Sequence, residues 1–127
     1  SQFVADFIGR ANLLEGEILT CNEKFATVKT AIGEVVALNP HNFTPKERVM
    51  VCVRPEFIRL SHTQNEKTHN AFSGKMQHLV FIGEAYEADI KIADTMLTTT
   101  VSAREAIKES DEMAICFDAE HAFIVSK

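Results

Sequence analysis

The 127-residue chain has no tryptophan and one tyrosine. Single-stranded nucleic acid is held by exposed aromatics that stack bases and by a basic groove that follows the phosphates. Nine phenylalanines are present, but Phe25, Phe117 and Phe123 fall in strand patterns that need them for a core, and the formal net charge is −5. A nucleic-acid partner is therefore not expected. Cysteine is equally sparse. Cys21, Cys52 and Cys116 are odd in number and form no CxxC pair, which argues against a disulfide scaffold and against a cysteine zinc site. Cys52 and Cys116 sit inside apolar strand patterns and read as buried thiols. Among the five histidines no HxxxH or HExxH spacing occurs, so neither a metal nor another cofactor is expected. No apolar run approaches the roughly 20 residues of a membrane-spanning helix. Ser1 to Asp6 lacks the basic start and long apolar centre of a signal peptide.

Catalytic motifs are missing as well. The one Gly-Lys pair, Gly74-Lys75, has His69 five positions before it and Met76 after it. A phosphate loop needs glycine at the first place and Ser or Thr at the second. No GxSxG elbow exists. Glu56 and Glu120 repeat at similar places, but corner glutamates of this kind suit water better than acid–base chemistry. The expectation is a chain that is not itself an enzyme.

What is there is hydrophobic patterning: 46% of residues are apolar, enough for a packed core. Phe3, Val4, Phe7 and Ile8 make a short helical stripe that Gly9 ends. After Leu13 the texture becomes strands. "LLEGEIL", "KFATVKT" and "EVVAL" are short and β-branched, with turn signals between them. Val49 to Val53 and Phe57 to Leu60 flank Arg54-Pro55-Glu56, where Pro55 predicts a corner because it cannot donate to a ladder. "EAYEADIKI" alternates with period two, placing Tyr86, Ala88, Ile90 and Ile92 on one face. Thr44-Pro45-Lys46-Glu47 and Ser102 to Glu109 carry capping-box signatures and predict one helical turn and one short helix.

The chain also repeats itself. "VCVRPEFIRL" at 51–60 aligns with "ICFDAEHAFIV" at 115–125, Cys52 with Cys116 and Leu60 with Ile124, 64 positions apart. The fold class expected is all-β with short helices: tandem OB-like small barrels built from two similar halves. The boundaries expected are a junction helix over 1–12, a first half over 13–60, a polar linker over 61–72 and a second half over 73–127. Units of about 50 residues are below a comfortable size for a lone domain, so the halves should share a core or complete each other's barrels.

The order and spacing of Phe7-Ile8-Gly9 with Asn12, then Arg54-Pro55-Glu56, then Phe81-Ile82-Gly83 resembles a known family. It is the transport-associated OB (TOBE) region at the C-terminus of ABC-importer ATPase subunits of the maltose, iron, sulfate and spermidine/putrescine types. The resemblance implies a chain that starts at the junction with an ATPase domain, homodimerises, and lies on the cytoplasmic face of the membrane as part of a transporter. It implies a regulatory, non-catalytic role, with membrane subunits as indirect partners. A second reading is a small-ligand sensor, since related OB-like modules bind oxyanions. Ser73, Lys75, Ser102 and Arg104 are the residues nominated to meet such a ligand, at a strand start and a helix start where amides point outward.

Overall fold

Alternating apolar and polar residues make strands wherever one face can be buried, and this chain uses that pattern throughout its described residues. The computed structural model describes residues 11–63 and 70–127. The strands among them are β1 (Asn12–Cys21), β2 (Phe25–Thr30), β3 (Gly33–Leu38), β4 (Arg48–Val53), β5 (Arg59–Ser61), β6 (Asn70–Phe81), β7 (Ala85–Ile92), β8 (Thr95–Ser102), β9 (Glu112–Phe117) and β10 (Ala122–Ser126). Their order in space departs from their order in sequence. A closed barrel runs β1-β2-β3-β10-β4, and a five-stranded sheet runs β5-β9-β6-β7-β8.

The last strand of each half therefore joins the other half. β10 pairs antiparallel with β4 (Phe123 opposite Cys52) and touches β3 in parallel at Leu38. β5 pairs with β9, Arg59 opposite Cys116. Of the two expected solutions for so small a unit, the fold uses strand exchange. It also packs one continuous apolar cluster. Ile18, Val28, Val35, Val51 and Ile124 come from the barrel, and Met76, Ile90, Leu97, Ile115 and Phe117 from the second sheet.

The two halves repeat closely, at a spacing that drifts along the chain. Asn12, Gly16 and Ile18 of β1 match Asn70, Gly74 and Met76 of β6. Val28 and Leu38 match Ile90 and Thr100, and residues past the corner match at the longer spacing seen in the sequence. Each first strand carries a bulge at the same place, after Ile18 and after Met76. The turn before the fourth strand is tied into that bulge twice over. Ile18 N–H donates to Glu47 O (3.0 Å) and Lys46 N–H to Ile18 O (2.8 Å); Met76 N–H donates to Asp111 O (2.9 Å) and Ser110 N–H to Met76 O (2.8 Å).

These turns correct the expected helices. The capping contacts of the first exist, with Thr44 N–H donating to a Glu47 carboxylate oxygen at 2.6 Å. Yet Lys46 takes φ 78°, and the backbone cannot continue as a right-handed helix. Ser102 to Glu109 likewise forms separate turns. Glu105 N–H donates to Ser102 O, Asp111 N–H donates to Lys108 O, and Ser110 has φ 75°. A capping box satisfies one turn as well as a helix, and a short helix does not repay its nucleation cost. Among the described residues the helical pieces that do form are single 3-10 turns at the two corners, Pro55–Phe57 and Ala119–His121.

The segment expected as a linker over 61–72 is entered by strands from both ends, Ser61 closing β5 and Asn70 opening β6. The junction helix expected over 1–12 falls outside the described residues, except that Asn12 opens β1.

Candidate functional site

Where the two halves meet, polar groups are drawn into a largely apolar interior. Asn12 and Asn70 occupy the same place in the two halves, and both are buried. The Asn70 carboxamide accepts from Val36 N–H (2.8 Å) and donates to Val36 O (2.9 Å). The Asn12 carboxamide does the same to Thr98, both bonds 2.8 Å. Val36 and Thr98 are themselves equivalent, on β3 and β8. Each asparagine thus behaves as one peptide unit of an extra strand, pairing with the outer edge of the opposite half. A buried amide costs free energy unless both its donor and its acceptor are used, and here both are.

The corners lie beside these clamps. Arg54 precedes the first 3-10 turn, Pro55 opens it and Glu56 follows, exposed to water. The Thr99 hydroxyl donates to Pro55 O at 2.7 Å, which ties the first corner to β8. Asp118 precedes the second turn, and Arg59 meets its carboxylate at 3.2 Å and 3.4 Å. Both side chains are 40% exposed, so the pair contributes roughly 0.2–1 kcal/mol. Phe57 and His121 hold equivalent places in the two corners and stack on each other, ring centres 4.0 Å apart and planes 10° off parallel. His121 Nδ1 is shielded from water without a hydrogen bond, Asp118 Oδ2 standing 3.9 Å away.

The titratable groups fit an architectural joint. Burial pushes the Cys52 thiol up to about 11, so it stays protonated and inert. Cys116 is buried as expected and Cys21 is exposed. Asp111 is held below its ordinary value, first by Lys108 N–H at 2.9 Å and then by the His62 ring at 3.1 Å. Among the described residues no group of three or more His, Cys, Asp or Glu is placed to hold a metal ion.

Of the other residues nominated from the sequence, Phe7, Ile8 and Gly9 lie outside the described residues. Gly83 sits at the tip of the β6–β7 hairpin with φ 110°, a backbone conformation that favours glycine. Ser73 and Lys75 are on β6, opposite Ala114 and Glu112 of β9. Ser102 ends β8, and its hydroxyl accepts from Arg104 N–H at 3.2 Å, so that amide is already engaged. The structure does not bring these four together. Lys75 is paired with Lys91 and Ser102 with Ala85, at opposite ends of β7 and roughly 20 Å apart along the strand. Asn70 and Thr98, which complete the clamps, were not nominated. The signal for Asn70 is present in the sequence: it opens a strand with the same polar residue, at the same distance before a glycine, as Asn12.

A closed barrel and a matching five-stranded sheet that exchange their last strands define a tandem OB-like β module. The chain belongs to the TOBE domain family, whose model matches residues 51–125. It is similar to the spermidine/putrescine import ATP-binding protein PotA of Rubrobacter xylanophilus, at 29% identity over 98% of this chain and 34% of the relative. It is also similar to PotA of Thermotoga maritima, at 25% identity over 97% of this chain and 36% of that protein. The chain spans about a third of the length of these curated relatives. The fold matches that of the molybdate-bound form of the cytoplasmic molybdate-binding protein ModG, with a TM-score of 0.81 and 12% identity, covering 91% of this chain and 96% of that one. Among the described residues no helix is long and apolar enough to cross a membrane.

Proposed function

We propose that the chain is the non-catalytic C-terminal regulatory and dimerisation module of the ATP-binding subunit of an importer, of the kind that carries polyamines. The observation that supports this reading most is the length relation. Nearly the whole chain matches importer ATP-binding proteins, and it matches only a third of each. The fold is compatible with it, since the Asn12 and Asn70 clamps and the exchanged strands fasten the two half-modules together. In this reading the module works beside the membrane on the cytoplasmic face, tethered to an ATPase domain of the same subunit. It holds two ATPase domains in register.

The test is made on the full-length subunit that carries this sequence. Deleting the module should leave basal ATP hydrolysis within a few fold and abolish the dimer that persists without nucleotide, as read by light scattering. A subunit that stays dimeric without the module, with unaltered transport, would sink the proposal.

The second reading is an oxyanion sensor, favoured by the fold likeness to a molybdate-binding protein. The nominated residues support it little, because Ser73 and Lys75 are far from Ser102 and Arg104. Calorimetric titration with molybdate, tungstate and sulfate separates the readings. Saturable heat below millimolar concentration supports the sensor, and its absence leaves the assembly role alone.

A further inference from the structure

The two halves differ on the outside of their sheets. Successive strand residues point to opposite faces. With Val51, Val53 and Ile124 in the core, Cys52, Phe123 and their cross-strand partners face outward. Leu13 pairs with Cys52, and Cys52 with Phe123; Met50 pairs with Val125 two residues along the same strands. Leu13, Met50, Phe123 and Val125 therefore make one apolar face around Cys52, on β1, β4 and β10. Leu13 is 37% exposed, and the other three are half-buried. Among the described residues, the core cluster and the side chains packed on it include none of the four.

The second half shows what the fold needs at these places. The counterparts of Leu13, Met50, Phe123 and Val125 are Ala71, Ala114, Arg59 and Ser61, on β6, β9 and β5. All are small or charged. Burial of the central thiol is written twice, since Cys116 is buried as Cys52 is. The bulky apolar side chains around it are written once. Folding does not require them, and a cluster of apolar side chains on an outer face is a mark of contact with something that covers it.

We propose that the stripe Phe3, Val4, Phe7 and Ile8 covers this face as two helical turns. These residues lie outside the described part of the chain. Position, size and stability select them. β1 begins at Asn12, so the chain reaches the face at Leu13, just past the stripe. Gly9 permits the turn back, and the residues from Ile8 to Leu13 span up to roughly 17 Å when extended. Eight helical residues measure about 12 Å. Three strands about 4.8 Å apart present a face of similar breadth. A helix of two turns does not persist alone in water, so its apolar stripe needs a surface, and this face is the one on which the chain enters the fold. The contact then fixes the direction from which the chain joins β1. The proposal does not depend on the importer reading, because it follows from the difference between the two halves and from the stripe itself.

The chain has no tryptophan, so Phe7→Trp places a single fluorescent reporter in the stripe. In the 127-residue chain its emission should be blue-shifted, and acrylamide should quench it several fold less than in the urea-unfolded chain. Adding Phe123→Ser, on the outer face, should raise the quenching several fold while the far-UV spectrum stays unchanged. Should that variant not fold, Leu13→Ser serves instead. Phe3→Trp, one turn away on the same stripe, repeats the measurement in case the larger ring does not fit at the first position. Three results overturn the proposal. One is a tryptophan that is quenched at both positions as freely as in the unfolded chain. Another is protection that Phe123→Ser and Leu13→Ser both leave intact, which would mean that the stripe packs elsewhere. The third is protection lost on dilution, which would mean that a second copy supplies the segment.

Discussion

Replacing Asn70 with alanine tests the joint most directly. The Asn70 carboxamide is fully buried and makes two bonds, at 2.8 Å and 2.9 Å, to the outer edge of β3. Truncation leaves Val36 N–H and Val36 O without partners. A buried polar group left unpaired costs about 1–3 kcal/mol. Val36 is only half-buried, so water recovers part of that loss, and the cavity left by the side chain adds some back. The expected loss is about 2–4 kcal/mol, a large share of the roughly 5–15 kcal/mol that holds a domain of this size together. Urea unfolding followed by far-UV circular dichroism measures it, since the chain lacks tryptophan. The midpoint should fall while the slope stays constant. Asn70→Asp should be at least as damaging, because a carboxylate cannot donate to Val36 O. Asn12→Ala should cost a similar amount through Thr98. A loss under about 0.5 kcal/mol for Asn70→Ala would refute the claim that the clamp fastens the halves.

Gly16 and Gly74 lie where strands pass too closely for a side chain. A Cβ on Gly16 would stand 2.5 Å from Lys29 O, and one on Gly74 2.7 Å from Lys91 O. Gly74→Ala should therefore cost at least about 1–3 kcal/mol by thermal melt, as overpacking does. Thiol titration with a disulfide reagent at pH 8 should find one fast cysteine, Cys21, and two that react only on unfolding, since Cys52 is buried with its thiol raised to about 11. Asp111 is held low by Lys108 N–H and His62. Its folded value lies below its unfolded value, so its contribution is present above the unfolded value near 3.9 and is lost as pH falls through the folded one. Removing it in Asp111→Asn should make the low-pH limb of the stability profile shallower. Strand exchange also predicts one cooperative transition, with calorimetric and van't Hoff enthalpies equal; two resolved peaks would count against it.

Much of this fold was legible because period two is a local signal. The alternation in Tyr86, Ala88, Ile90 and Ile92 places the last three of these against the core. The strand exchange was not legible to the same degree. Whether β5 returns to its own half or crosses over depends on how a 3-10 turn at Pro55–Phe57 aims the chain, and the apolar pattern is the same either way. The helices failed for a related reason. Thr44 and Glu47 carry the capping signature, but Lys46 turns left-handed because its N–H is needed at Ile18 O. That demand comes from a strand 28 positions away in sequence. Repetition was most visible at the spacing of the corner phrase. Asn12 and Asn70 stand 58 apart, so a comparison at 64 passes over the one polar pair that organises the joint.

The duplication provides an internal control on what the fold requires. Features written in both halves are demanded by the geometry twice: the asparagine clamps, the glycines at close approach, the bulges and the left-handed turns. Features written in one half are not demanded, because the other half folds without them. Two such features stand out. The β6–β7 hairpin continues for two ladder pairs beyond its counterpart, Val80 with Glu87 and Phe81 with Tyr86. It carries Val80, Phe81 and Ile82 more than half exposed, where the first hairpin ends in Cys21-Asn22-Glu23-Lys24. The second feature is that β5 and β8 form no ladder with each other among the described residues, where their counterparts β10 and β3 meet at Phe123 and Leu38. Exposed apolar residues and open strand edges both invite unwanted association. The first barrel shows that neither is needed to fold, and both lie on the second half. The corners, by contrast, are written in both halves as 3-10 turns, so the repeat that first brings them to notice marks what the fold requires rather than what it could do without.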